Sequence, residues 1–510
     1  MAARVKRLLF AAYAMAEVYF IWAAMLCFVL GIVLAEALQS GLPEVWLWPL
    51  IGLTGLFGLA ALLRNRPVWL LPLFLLLGLV WSGLAQERLN SFAVPPGEAL
   101  FVQGCVVEVL SHEQNVFAQL AETPRRGCSF IMQAEEQNGW RGRLLIVSSP
   151  VTPRVGDRLR VCGLVNQLPE RYNFALDSSR YFYSQSLGAA VRPVPQGISL
   201  LRPAAVYAPQ SLGQDMRERV FQSMTILPSE QQALLRGIGF GDTSMLTNGQ
   251  SGVLAQTGIM HVFAVSGLHI GYVVLLGGWL LAILRVPRWL HFVGTALLVI
   301  FFALVVGPTA SVLRATIMTL VGGLGTILAN GRAEGRHSVC SLVLAAFLLL
   351  LWRPNWALQP GFLLSFAATA GIVCTAEYWR QLVPSTILSI GLAAQFMIMP
   401  ILAYFFNTIS LVGLLLSPFL ACAAGLVVIL LLLAMPLSFC GLAYVPLAGA
   451  GWLAEMMYKL AALLAGLPGA FVYTLRPGWS AIIIYYALLL AALYCLAQVK
   501  KSNRAELKPY

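Results

Sequence analysis

The sequence predicts a polytopic α-helical membrane protein of about 12 transmembrane helices, with one small OB-like β-barrel inserted between them. Three observations carry this reading. The 510-residue chain is 59% hydrophobic and only 11% charged, against about 25% charged in an ordinary soluble domain. Apolar runs of roughly 20 residues, the length needed to cross a bilayer, recur from near the start to near the end. One stretch, 91–204, breaks that pattern with short period-two alternation punctuated by Gly, Pro and Asn, as strands and turns do.

Residues 1–90 hold apolar runs at 17–38, 45–63 and 68–86. The first is too long for the apolar core of a signal peptide and lacks a small-residue cleavage pattern, so it reads as a retained span. Arg4, Lys6 and Arg7 precede it, and Arg64 and Arg66 follow the second run, whereas 39–44 has no basic residue. The positive-inside rule then puts the N-terminus in the cytoplasm and, three crossings later, residues 91–204 outside.

In that outer segment, strands are expected at 101–109, 143–147 and 158–165, with Gly156-Asp157 as a turn. A five-stranded OB-type barrel fits the length. Arg158, Arg160, Tyr172 and Phe174 are the candidate DNA-binding residues, since Arg with stacking aromatics is how OB-folds hold single strands. The competing reading is a plain β core with a solvated rim, because acids nearly balance the arginines here. Cys105, Cys128 and Cys162 lie in this segment, and outside the cytoplasm two of them could form a disulfide, the pairing left open. The other six cysteines fall in or beside apolar runs, as small core residues do.

Residues 205–257 read as amphipathic interfacial helices at 210–224 and 229–239, with Ser229 as N-cap and Gln232 three residues on. Residues 258–498 form the apolar core, with nine expected crossings at 258–284, 289–306, 310–329, 337–352, 360–376, 384–406, 409–435, 447–468 and 479–498. The loops 285–288 and 332–336 and the tail 499–510 are basic and face the cytoplasm by the same rule. Arg353 and Arg476 fall on the opposite side. The net charge of +12 follows first from this bias, and attraction for a polyanion is a compatible second reading.

Three features of the core are out of place in lipid. Arg314 sits inside an apolar run, with Ser311, Ala315, Met318 and Thr319 at helical spacing around it. A charge there costs about 2.5–3.5 kcal/mol on insertion scales and marks a pathway by default, although a structural ion pair would explain it equally. Glu455 and Lys459 stand at i,i+4 in the favourable order and face either a pore or the membrane surface. Residues 257–271 bring His261, Ser266, Gly267 and His269 into an apolar run. No carboxylate or Cys is close enough in sequence to complete a metal site with the histidines. A Ser266 nucleophile lacks a visible acid to orient its base and lacks the GxSxG elbow. A polar pore lining or gate is the simplest reading.

Residues 258–269 resemble the G-x-x-H-x-x-A-[IV]-S-G-L-H motif of the ComEC competence family, with Gly241-Asp242 upstream as in that family. Ser311-Val312-Leu313-Arg314-Ala315 resembles its S-x-x-R-A helix. Residues 361–369 resemble its G-F-x-L-S-F-x-A-T segment, and Gln395 to Pro400 with Tyr404-Phe405-Phe406 its Q-x-x-x-x-P and Y-F segment. Leu363 stands where the family usually has Gln, and Ser417-Pro418 where an Asn-rich stretch is common.

The resemblance implies a bacterial inner-membrane channel that imports single-stranded DNA during natural transformation. Its pore or gate would be built from His261, Ser266, Gly267, His269, Ser311, Arg314 and Gln395, with Glu455 and Lys459 as a further pore-facing pair. Implied partners are single-stranded DNA, a periplasmic DNA receptor, a cytoplasmic helicase or translocase, a separate nuclease, membrane lipid and further copies of the chain. Longer family members end in a metallo-β-lactamase-like nuclease domain. With only His112, His261, His269, His291 and His337 present there is no HxHxDH cluster, so the expectation is a short form with no enzyme activity, metal or cofactor. A transporter of another anionic solute and an intramembrane Ser/His enzyme are the rival functions.

Overall fold

The computed structural model describes residues 23–35, 70–90, 97–110, 128–135, 142–151, 153–166, 172–173, 176–177, 187–203, 209–328, 336–383 and 385–506. Two helices, α1 (Ala23–Ala35) and α2 (Leu70–Asn90), come first. The expected run at 45–63 lies outside the described residues.

Five strands follow: β1 (Ala99–Leu110), β2 (Cys128–Ala134), β3 (Arg143–Ser149), β4 (Arg158–Asn166) and β5 (Leu187–Arg202). They close into a barrel in the order β1-β2-β3-β5-β4. The β3–β5 pair is parallel and every other pair antiparallel, so the barrel is of OB type. Alternation explains its core: Val102, Val106, Phe130, Met132, Leu144, Ile146, Leu159, Val161 and Val191 are buried together. The strands β1, β3 and β4 stand where the alternation predicts them. β5 carries Pro193, Pro195 and Gly197, and its pairing with β4 shifts register at Val161 to Gly163, which hides its period-two signal.

The ladder separates the three cysteines named for a disulfide. Cys105 stands across from Gln133 and Arg158, Cys128 from Ser149, and Cys162 from Phe101. The ladder therefore places none of the three opposite another, and a disulfide needs close Cβ atoms.

Residues 209–256 form α3 (Pro209–Met224), α4 (Ser229–Phe240) and α5 (Asn248–Gln256). The cap of α4 is Pro228 rather than Ser229, with no side-chain cap bond. Gln232 instead donates to the Leu227 carbonyl at 2.8 Å. Nor does α4 simply ride on a surface, because Ala233, Leu234, Leu235, Ile238 and Phe240 are buried in the main core with Val427, Leu431, Leu447 and Ala454.

The remaining helices are α6 (Gly267–Ile283), α7 (Arg288–Val306), α8 (Ala310–Leu328), α9 (Arg336–Trp352), α10 (Pro360–Leu382), α11 (Thr386–Phe406), α12 (Leu411–Leu437), α13 (Tyr444–Ala465) and α14 (Trp479–Glu506). Five of them, α7, α8, α10, α11 and α12, are long and apolar enough to cross a membrane. Among the described residues α1, α2, α6, α9 and α14 offer shorter apolar stretches, so five spans are shown of the twelve expected. The first expected crossing, at 258–284, is broken. Gly258 adopts φ +69°, a turn follows through Met260–Val262, and α6 starts afresh at Gly267. Two short strands, β6 (Thr408–Ser410) and β7 (Phe471–Tyr473), pair antiparallel and join the α11–α12 link to the α13–α14 link. On α14, Tyr485 and Tyr486 each donate to α11, at the Phe396 and Met397 carbonyls, both 2.8 Å.

Candidate functional site

The break before α6 is built by capping. Ser266 is extended, at φ −116° and ψ 172°, and its Oγ accepts from the Leu268 N–H at 3.3 Å. His269, three residues on, returns the bond. Its Nδ1 lies 3.2 Å from the Ser266 N–H and 3.1 Å from Ser266 Oγ. Its Nε2 lies 2.8 Å from the Ile238 carbonyl of α4. A carbonyl can only accept, so Nε2 carries the proton and Nδ1 accepts. A buried neutral imidazole thus ties the start of α6 to the end of α4.

His261 lies on the other side of the break, its Nδ1 2.8 Å from the Gly258 carbonyl. Both histidines, with Ser266, Tyr272 and Gly425, line a cavity of about 20 Å³, room for one water molecule. The described residues contain no cluster of three His, Cys, Asp or Glu able to hold a metal.

Gly267, the first residue of α6, touches α8. A Cβ built there would sit 2.5 Å from Arg314 Nη2, so a side chain at this position would displace the tip of the guanidinium. Arg314 is buried, 7% exposed. Its Nε donates to Ser365 Oγ of α10 at 2.9 Å, and its Nη1 lies 3.5 Å from Met318 Sδ. Its guanidinium stands 5.7 Å from the Phe366 ring centroid. Ser311 Oγ shares the same Ser365 hydroxyl at 2.9 Å. Among the described residues no carboxylate pairs with Arg314. The positive end of α6 therefore faces a guanidinium over Gly267, and both favour an anion.

The other expected site residues lie elsewhere. Gln395 on α11 donates to Ser417 Oγ of α12 at 3.1 Å, and Ser417 donates in turn to the Gly413 carbonyl. Glu455 and Lys459 pair along α13 at 2.6 Å, and Glu455 also accepts from Gln231 of α4 at 2.8 Å. In the barrel, Arg158 pairs with Glu135, and Arg160 lies over the exposed Phe101 ring, 5.5 Å from its centroid. Tyr172 lies in a two-residue strand pair with Asp177. Phe174 lies outside the described residues. Sequence reasoning missed Ser365, Phe366 and Phe101. The first two stand inside the quoted 361–369 segment, and Phe101 alternates with the buried Val102.

Fold and site together define a helical membrane protein that carries an OB-like barrel and buries an arginine with no carboxylate partner among the described residues. Residues 238–499, more than half of the chain, match the family described as Competence protein, and the chain belongs to that family. It is similar to ComE operon protein 3 of Bacillus subtilis (strain 168), 23% identical over 292 residues that cover 56% of this chain and 36% of that protein. It is also similar to the uncharacterized protein YcaI of Escherichia coli (strain K12), 27% identical over 207 residues that cover 37% of this chain and 26% of that protein. The matched region is thus well under two thirds of either relative. No solved structure matches the chain.

Proposed function

We propose that this protein is the inner-membrane conduit through which one strand of DNA enters the cytoplasm during natural transformation. One observation supports it above the others. Gly267, Ser311, Arg314 and Ser365, from three separate sequence segments, meet around a buried guanidinium with no carboxylate partner among the described residues. A buried cation with neutral partners is costly in an apolar bundle unless an anion comes to it, and a phosphodiester matches the guanidinium fork. The family membership points to DNA as the source of that phosphodiester.

In this reading the barrel lies in the periplasm and both termini in the cytoplasm. The barrel meets the strand as it emerges from a DNA receptor, with Arg160 and Phe101 at its surface. A cytoplasmic helicase or translocase pulls, and a separate nuclease removes the other strand. Arg314 is buried here, so the arrangement is closed, and passage requires α6, α8 and α10 to part. His261 and the Ser266–His269 cap form the hinge of that gate.

The experiment is uptake of end-labelled DNA in a deletion strain, with periplasmic and cytoplasmic label counted separately. Label held in the periplasm, released to the cytoplasm by the wild-type gene and not by Arg314→Gln at equal expression, is the expected outcome. Unchanged cytoplasmic entry in the deletion strain contradicts the proposal and returns the anionic-solute transporter to the front. The 3.1 Å contact between Ser266 and His269 also favours one second reading, an intramembrane Ser/His enzyme. Its signature is loss of function in Ser266→Ala but retention in Arg314→Gln.

A further inference from the structure

Arg353 is one of the two arginines that the positive-inside pattern leaves on the outer face. It follows directly on α9 and is 9% exposed. Its guanidinium lies 4.6 Å from the Trp352 ring centroid and 5.0 Å from that of Trp356. It lines a cleft of about 200 Å³ between the barrel and the helical bundle. Arg143 and Gln133 form the barrel wall of that cleft, and Trp81 and Trp352 form much of the bundle wall. Trp352 is 54% exposed. Burial and the neighbouring Arg143 both press the Arg353 guanidinium down, to about 10, with Glu108 of β1 offsetting them. It therefore stays charged at neutral pH, and no hydrogen-bond acceptor holds it among the described residues.

The cleft also adjoins the Arg314 site. Ala310, at the start of α8, shares one core cluster with Leu349 and Leu350 at the end of α9 and with Trp356 in the turn that follows it. Arg314 therefore lies near the barrel-facing end of the bundle. Between the two arginines runs α10, which starts at Pro360. Its Phe362 stacks on Phe366 at 4.2 Å, and Phe366 faces Arg314. Ser365 lies five residues into α10, about 8 Å along its axis. Trp356 beside Arg353 and Phe362 next to Phe366 belong to one buried cluster.

We infer that the cleft between barrel and bundle binds one nucleotide unit of the incoming single strand, its phosphate on Arg353 and Arg143 and its base against Trp352. This rests on the conduit reading and gives it an entry point. Alternating cationic and aromatic groups suit a strand of any sequence, because every nucleotide offers a phosphate and a flat base. Exposed indoles beside arginine would equally suit the headgroup of an anionic lipid. The core cluster that joins Trp356 of the cleft to Phe362 and to Phe366 beside Arg314 favours the strand.

The test uses the full chain in phosphatidylcholine nanodiscs, titrated with a short fluorescent oligothymidylate. Trp352→Ala and Arg353→Gln are expected to weaken binding about tenfold, the loss of one stacked base or one phosphate contact. Trp352 is already exposed, so that variant keeps the test standing if Arg353→Gln fails to fold. Affinity unchanged in Trp352→Ala and Arg143→Gln overturns the assignment. So does unchanged oligonucleotide affinity combined with loss, in these variants, of a bound phosphatidylglycerol seen by native mass spectrometry, which makes the cleft a lipid site. Uptake of labelled DNA separates the two claims. A deletion strain that still imports DNA refutes the conduit. A deletion strain that fails to import, with cleft variants that import and bind like wild type, refutes the cleft alone.

Discussion

Gly267 is the residue on which the site turns. Its lack of a side chain lets α6 begin against the Arg314 guanidinium, whereas a Cβ at Gly271, one turn further on, would meet nothing within 4 Å. Gly267→Ala should therefore push the guanidinium off Ser365 at little cost in stability, since only the tip of the side chain has to move, and lower DNA uptake. Gly271→Ala should leave uptake and stability close to wild type, as transformation frequency and thermal unfolding in detergent will show. His269 has a different part. It satisfies two backbone groups, so His269→Ala strands the Ile238 carbonyl and the Ser266 N–H, at about 1–3 kcal/mol for each buried group left unmade. Ser266→Ala removes the cap bond from Leu268 and the Oγ contact with His269 but leaves the Ser266 N–H and the Ile238 carbonyl bonded, about 1 kcal/mol. His269→Ala should then unfold at clearly lower temperature than Ser266→Ala. Arg314 was legible in the sequence because a charge in an apolar run stands out. Its neighbours Ser365 and Phe366 were not, because distances along one chain do not tell which helices meet.

At the scale of elements, hydropathy placed the helices of the second half well. The runs expected at 289–306 and 310–329 become Arg288–Val306 and Ala310–Leu328. Capping was read less well. The Thr247–Gln250 capping box that starts α5 went unseen among mixed residues, and the α4 cap fell one residue early because Pro228 supplies the turn geometry. The role of Glu455 also changes once α4 is in place. It accepts from Gln231, which itself rests on Gly451, so it joins α4 to α13. Lys459 is 61% exposed at its side chain. Lys459→Ala should cost no more than about 0.5 kcal/mol, as exposed helix pairs do. Glu455→Ala should cost more, because it also frees Gln231 against the core. Thermal unfolding of the two variants side by side checks the order, and equal shifts would return Glu455 to a surface pair.

For the whole molecule, an OB-like barrel sits against the end of the bundle at which Arg314 lies. Composition alone announced the membrane part, and the strand alternation announced the barrel. What no single sequence shows is that Arg353 meets the barrel residues Gln133 and Arg143 in one cleft, while Trp356 beside it shares a core cluster with the start of the helix that carries Arg314. In the proposed conduit the strand enters past that cleft toward Arg314. The most direct measurement is site-specific photocrosslinking to a labelled strand arrested in transit. Leu268 lies in the first turn of α6 beside the Ser266–His269 cap and is exposed, as is Leu297 on α7. A photoreactive residue at 268 should capture the strand and one at 297 should not, with uptake intact in both. Capture at 297 alone, or no capture at 268 while labelled DNA is entering the cell, would contradict the path through Arg314.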